Sequence, residues 1–72
     1  MYMTQKEIKS GLSELVIDAW DSAVINEGDT LAENRIKDGD PMRNASDNAY
    51  IYADMFGVSI EDFKKAAAIY GY

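Results

Sequence analysis

Apolar residues at positions 8, 12, 15, 16, 19, 20 and 23 fall on one arc at 100° per residue, which predicts an amphipathic helix through the first third of the chain. Its start is marked by Thr4-Gln5-Lys6-Glu7, whose spacing is that of a capping box, with Met3 and Ile8 placed as a hydrophobic staple. Gly11 weakens the helix without ending it, and Asn26-Glu27-Gly28-Asp29 ends it, with Gly28 suited to a left-handed cap. Thr30-Leu31-Ala32-Glu33 repeats the capping-box pattern and predicts a second helix of about two turns before Asp38-Gly39-Asp40-Pro41 stops it. Asp40 is a natural N-cap and Pro41 a natural first residue, so a third helix is predicted from there to Phe56, with Ser46 as a later start if residues 38 to 45 are loop.

Within that third helix Met42, Ala45, Ala49, Tyr52 and Phe56 step 3, 4, 3, 4, the spacing of a buried seam. Gly57 ends it, and Ser59-Ile60-Glu61-Asp62 opens a last helix with an acidic first turn, Val58 and Phe63 forming its staple. Ile60, Phe63, Ala67 and Tyr70 give that helix a seam of its own. The expectation is an all-α, compact bundle of three or four helices forming a single domain over residues 1–72. Leu12, Leu15, Ala19, Tyr52, Phe56, Phe63 and Ala67 are expected to be buried together, and no strand is expected.

Composition narrows the chemistry more than the fold. Seventy-two residues lie near the lower limit at which a hydrophobic core alone stabilises a domain, but 47% apolar residues supply material for one. The chain has no cysteine and no histidine, which removes disulfide staples, thiol and imidazole catalysis, and the usual ligands of zinc and copper. Asp38-Gly39-Asp40 does not extend into a calcium loop: Arg43 would stand at the glycine position and Ala49 where a bidentate glutamate belongs. Asn44-Ala45-Ser46 fits the glycosylation pattern, but no basic start followed by an apolar run suggests secretion. No phosphate loop, dinucleotide fingerprint or nucleophile elbow occurs, and a carboxylate pair such as Asp38 and Asp40 could supply acid and base but falls on a loop of a chain too small to enclose a substrate. No cofactor, no metal and no catalysis are expected. The longest apolar runs fall well short of the roughly 20 residues that span a bilayer, so a cytoplasmic protein without membrane contact is expected.

Charge changes the picture along one stretch. Between Ser10 and Asn34 there are six acids and no base, within a chain whose net charge is −6. Glu7, Glu14, Asp18 and Asp21 fall within about 60° of one another at helical spacing, a row of carboxylates on one face. Such a row repels phosphate backbones and anionic lipid, and it suits a basic partner. It can imitate a nucleic-acid backbone, a strategy that resembles that of small phage-encoded inhibitors; it can equally be a solvated face that keeps a small protein soluble.

Residues 49 to 68 carry a different signal. Ala49-Tyr50-Ile51-Tyr52-Ala53-Asp54-Met55-Phe56-Gly57-Val58-Ser59-Ile60-Glu61-Asp62-Phe63 places a small residue at Ala53, a glycine at Gly57 and apolar residues at Phe56, Val58 and Phe63. This segment resembles the helix-turn-helix family of DNA readers, which covers about 20 residues of the chain and needs a close helix crossing, a tight turn and a shared core at those places. The resemblance implies that the last helix would present Ser59, Ile60, Glu61, Lys64 and Lys65 to a major groove. Glu61 and Asp62 stand at the end where bases are read, and only Lys64, Lys65 and Arg43 could meet phosphates. A helical corner that merely packs two helices has the same pattern.

Apolar residues off the predicted arcs remain: Ile17, Val24 and Ile25 in the first helix, and Tyr50, Ile51, Met55, Ile69 and Tyr72 towards the end. A short chain cannot cover all of them with itself, so a patch centred on Tyr50, Ile51, Met55 and Ile69 is expected to meet a protein partner or a second copy of this chain. The leading expectation is a small acidic interaction or inhibitory protein acting on another protein, with a basic one that handles nucleic acid among the targets it would suit. The alternatives are a small DNA-binding regulator using Ser59, Ile60, Lys64 and Lys65, and a structural subunit of an assembly.

Overall fold

In the computed structural model, residues 11–72 are described and form an all-α bundle of four helices, with no strand among them. They are α1 (Glu14–Glu33), α2 (Pro41–Asp47), α3 (Ala49–Phe56) and α4 (Ile60–Ile69). The capping box at Thr4 to Glu7, its staple and the carboxylate of Glu7 lie outside the described residues.

The helix predicted from Thr4 is not a single element through Ala23. Gly11 adopts φ +75, and α1 starts after it, capped by Ser13, whose Oγ accepts from the Val16 N–H at 3.4 Å. At its other end α1 runs straight through Gly28 and absorbs Thr30-Leu31-Ala32-Glu33, so the predicted second helix is the last turn of the first. Thr30 serves no cap; its hydroxyl donates to the Asn26 carbonyl one turn back. Closure falls instead at Arg35, a non-glycine residue at φ +57, where the Arg35 N–H bonds to the Ala32 carbonyl and the Ile36 N–H to that of Leu31. These two bonds are the pattern of a Schellman closure.

The predicted third helix divides in two. Asp40 caps α2 with one carboxylate oxygen accepting from the N–H groups of Met42 and Arg43, and Pro41 is its first residue, as predicted. Asn48, at φ −102 and ψ 26, then leaves helical geometry and separates α2 from α3. Its side-chain amide donates to Glu27 Oε1 of α1 at 3.3 Å, so an asparagine with a local tendency to leave the helix is also held from outside. Gly57 at φ +70 closes α3, the left-handed conformation that a side chain resists. Ser59 caps α4 through the Asp62 N–H at 3.1 Å.

The core is built on Trp20, Ile17 and Phe63, the largest side chains that are fully enclosed. Phe63 meets the Trp20 ring edge-on at 5.5 Å between centroids and stacks against Tyr52 at 6.3 Å, while Tyr70 stacks on Trp20 at 6.3 Å. Five alanines of α2, α3 and α4, at 45, 49, 53, 66 and 67, are buried and let the helices approach closely. Of the predicted core, Ala19, Tyr52, Phe63 and Ala67 are buried; Leu12 and Phe56 pack against the core from partly exposed positions.

Leu15 is the clear exception, 61% exposed, and Ile17, expected off the arc, is fully enclosed. The cause is rotational. Ile8 comes before Gly11 in the sequence and Leu12 lies between Gly11 and the cap Ser13, so neither belongs to α1, and including them pulls the apparent arc towards Leu15. The helix that exists packs through Val16, Trp20, Ala23, Glu27 and Leu31, which rotates the inward face by roughly 60°. Ile60 is likewise 46% exposed, and α4 packs through Phe63, Ala66 and Ala67 instead.

Candidate functional site

Because α1 is unbroken, its outer face is longer than the sequence suggested. Glu14, Asp18, Asp21 and Asp29 lie within about 80° of one another and span about 22 Å along the axis. Leu15 at 61% exposure and Ile25 at 64% stand among them. Glu14 and Asp29 are exposed; Asp18 and Asp21 are half-buried. One oxygen of Asp18 is shielded from solvent and has no hydrogen-bond partner among the described residues, beside a shallow depression formed by Leu15, Ala19, Ser22 and Phe56. The sequence pattern set Asp29, with Glu27 and Glu33, just beyond the row rather than in it, and placed Leu15 in the core. The signal was present: Glu27 and Leu31 continue the inward spacing of Val16, Trp20 and Ala23 across Gly28, and an interior glycine costs only about 1 kcal/mol.

Glu27 belongs to the opposite, inward face. Its carboxylate accepts from the Tyr52 hydroxyl at 2.9 Å and from Asn48, while Asn26 Nδ2 donates to the same hydroxyl at 2.9 Å. Burial raises the Tyr52 hydroxyl above its ordinary 10.0. This network joins α1 to the α2–α3 junction and is a structural tie.

A second surface lies on α3 and α4. Tyr50, Ile51 and Met55 are exposed as expected; Ile69 is not part of that patch, because it packs against the core from the far end of α4. A groove of about 530 Å³ instead brings Tyr50 together with Ile60 and Lys64, joined by Ser46, Asp47 and Tyr72. Of the residues proposed to read DNA, Ser59 uses its hydroxyl to cap α4, and Lys65 pairs with Glu61 at 3.5 Å one turn back. Ile60 and Lys64 are exposed.

Of the loop carboxylates Asp38 and Asp40, Asp40 has both oxygens engaged. Asp40 is committed to capping α2, and its second oxygen accepts from the Tyr72 hydroxyl at 2.6 Å. That hydrogen bond, aided by the Met42 and Arg43 N–H groups and the Arg43 charge against some desolvation, holds the carboxyl below its ordinary 3.8 and pushes the Tyr72 hydroxyl above 10.0. Arg43 lies over the Tyr72 ring at 5.8 Å, and Ser46 Oγ donates to the Tyr72 carbonyl at 3.1 Å. Tyr72 is thereby clamped to α2 and its cap.

A third feature is a cleft of about 340 Å³ between α1, the start of α2 and the end of α4, lined by Trp20, Asp21, Val24, Ile25, Met42 and Tyr70. Among the described residues no three acidic side chains are grouped to hold a metal ion, and no helix is long and apolar enough to cross a membrane. No known protein family, curated protein or solved structure matches the chain.

Proposed function

We propose that the protein is a small non-catalytic binding module that engages a basic protein through the outer face of α1. The observation that carries this reading is the combination on one rigid helix of four phased carboxylates, Glu14, Asp18, Asp21 and Asp29, with two exposed large apolar residues, Leu15 and Ile25. A solvated face needs the charges but not the apolar residues. An interface needs both: apolar anchors to be desolvated, and charge of one sign to orient and speed the encounter. A target that itself handles nucleic acid fits the same field, since its surface is already adapted to a row of anions.

The alternative, a DNA-binding regulator, draws its support from the two helices α3 and α4, the three-residue turn between them, and exposed Lys64. It is weakened because Ser59 spends its hydroxyl on capping α4, and because Lys64 and Lys65, the latter beside Glu61, are few cations to replace counterions on a duplex.

The two readings separate with a photocrosslinking residue placed at Ile25 or, in a second variant, at Ile51, used in cell extract with and without nuclease. A protein adduct at position 25 that survives nuclease, and that disappears when Glu14, Asp18 and Asp21 are changed together to Gln, Asn and Asn, is the expected result. A specific duplex footprint lost on Lys64→Ala and Lys65→Ala, without any adduct at position 25, overturns it in favour of DNA binding. An adduct at position 51 alone moves the interface to α3.

A further inference from the structure

The exposed apolar residues of this molecule are not spread evenly. Tyr50, Ile51, Met55, Ile60 and Tyr72 are each at least 39% exposed, and all five belong to α3, α4 and the residues that follow α4. The groove of about 530 Å³ gathers three of them, Tyr50, Ile60 and Tyr72, together with Asp47 from the end of α2 and Lys64 from α4. Both charged side chains are exposed, and neither forms an ion pair with the other or with any other residue of the chain. Asp47 is moreover the last residue of α2, where unsatisfied helix carbonyls disfavour a carboxylate, so no benefit to its own helix accounts for it.

We propose that this face is a contact between two copies of the chain, related by a two-fold axis through the groove. Charge selects that occupant. In a two-fold contact the same patch meets itself, so Asp47 of each copy faces Lys64 of the other and both pairs form at once. A uniformly basic protein or a phosphate backbone would satisfy one of these side chains and be repelled by the other. The distribution of charge along the chain points the same way. Residues 1–40 hold nine acids and four bases, whereas residues 41–72 hold four and three, so this near-neutral end is where two copies of a chain of net charge −6 meet with least repulsion. An ordinary interface takes about 800 Å² from each partner, about a sixth of this chain's 4786 Å² of surface, which extends the contact from the groove along α3 to Ile51 and Met55. The contact does not draw on the outer face of α1.

Sedimentation of the purified protein over a concentration series, from low micromolar upwards, tests this. Wild type is expected to pass from one chain mass to two. Asp47→Lys and Lys64→Glu each replace two attractive pairs by two repulsions, and each should weaken the dimer by about tenfold. Asp47→Lys also lowers the net negative charge, which would strengthen a contact governed by overall repulsion, so its weakening singles out the pair. The decisive sample mixes the two variants in equal amounts. Each then supplies the charge that the other lacks, and the mixed pair has the same total charge as two wild-type chains. The mixture should recover a heterodimer close to the wild-type dimer in affinity, and the chain carrying both substitutions should pair with itself equally well. Both positions are exposed, and circular dichroism checks that every variant keeps the wild-type helical content.

A single chain mass at every concentration overturns the proposal. So does a dimer that both substitutions leave unchanged, which would rest on another face or on apolar contact alone. A dimer weakened by each substitution but not restored in the mixture overturns it too, because Asp47 would then not face Lys64. These outcomes are separate from the reading of α1, whose adduct at position 25 carries a protein other than this chain.

Discussion

Replacing Gly28 with alanine tests whether α1 is one helix. If Gly28 were a left-handed cap between two helices, as the pattern Asn26 to Asp29 suggests, a side chain there would be strained and the protein would lose about 1 kcal/mol. In the structure Gly28 lies inside α1, and a Cβ built on it meets nothing closer than the Pro41 Cβ at 3.9 Å, an ordinary contact. Alanine then removes the helix penalty of glycine, about 0.8–1.0 kcal/mol, with no clash to offset it. For a domain of this size a gain of 1 kcal/mol raises Tm by roughly 4–8 °C. Thermal unfolding followed by circular dichroism, with urea titrations to obtain the free-energy change, reads the sign without ambiguity. A fall in Tm of comparable size would show that α1 is broken at Gly28, and Asp29 would leave the carboxylate row with it.

Arg35 offers the converse substitution: at φ +57 it closes α1 where glycine has no penalty, so Arg35→Gly should stabilise by about 1 kcal/mol in urea unfolding. Phe63→Ala should cost about 3–5 kcal/mol, a large share of the roughly 4–11 kcal/mol expected for a chain of 72 residues, and Phe56→Ala, at a partly exposed position, about half as much; equal losses would contradict the packing described. Tyr52→Phe removes the hydroxyl between Asn26 and Glu27 and should cost about 1 kcal/mol, measured in the same way. Asp40 has a folded pKa below its ordinary 3.8, chiefly through the Tyr72 hydroxyl, so its contribution is present above 3.8 and is lost as pH falls through the lower folded value. The advantage of wild type over Tyr72→Phe in urea midpoint should therefore be present at neutral pH and shrink under acid, and a constant difference down to strongly acidic pH would count against the clamp.

Much of the fold was legible where local chemistry and tertiary packing agree. Asp40-Pro41, Gly57 and Ser59 are punctuation whose cause is local, a cap or a left-handed turn, and each stands where the sequence placed it. The exposure of Tyr50, Ile51 and Met55 was legible for the same reason, since short helices with strong seams leave their other faces outside. What the sequence hid was decided by contacts remote along the chain. Thr30 to Glu33 has the spacing of a start signal, but packing on α2 and beyond carries α1 through Gly28, and Asn48 ends α2 with help from Glu27, 21 residues away. An arc averaged over residues 8 to 23 mixed residues on both sides of the break at Gly11 to Ser13, which buried Leu15 and exposed Ile17 in the reading and reversed them in the fold. The cleft beside Trp20 was hidden for a related reason, because Asp21, Met42 and Tyr70 belong to three different segments and share no pattern along the chain.

Recognition of a basic partner by the outer face of α1 is tested most directly by the rate of association. Carboxylates fixed on a rigid helix steer an oppositely charged partner from a distance, an effect that salt screens. Changing Glu14, Asp18 and Asp21 together to Gln, Asn and Asn should leave Tm within a few degrees, while slowing association with the protein captured through position 25 by about tenfold or more at low salt. The two proteins should converge as salt is added. An unchanged association rate and affinity for the triple variant at low salt would contradict the claim and leave the carboxylate row as a solvated face.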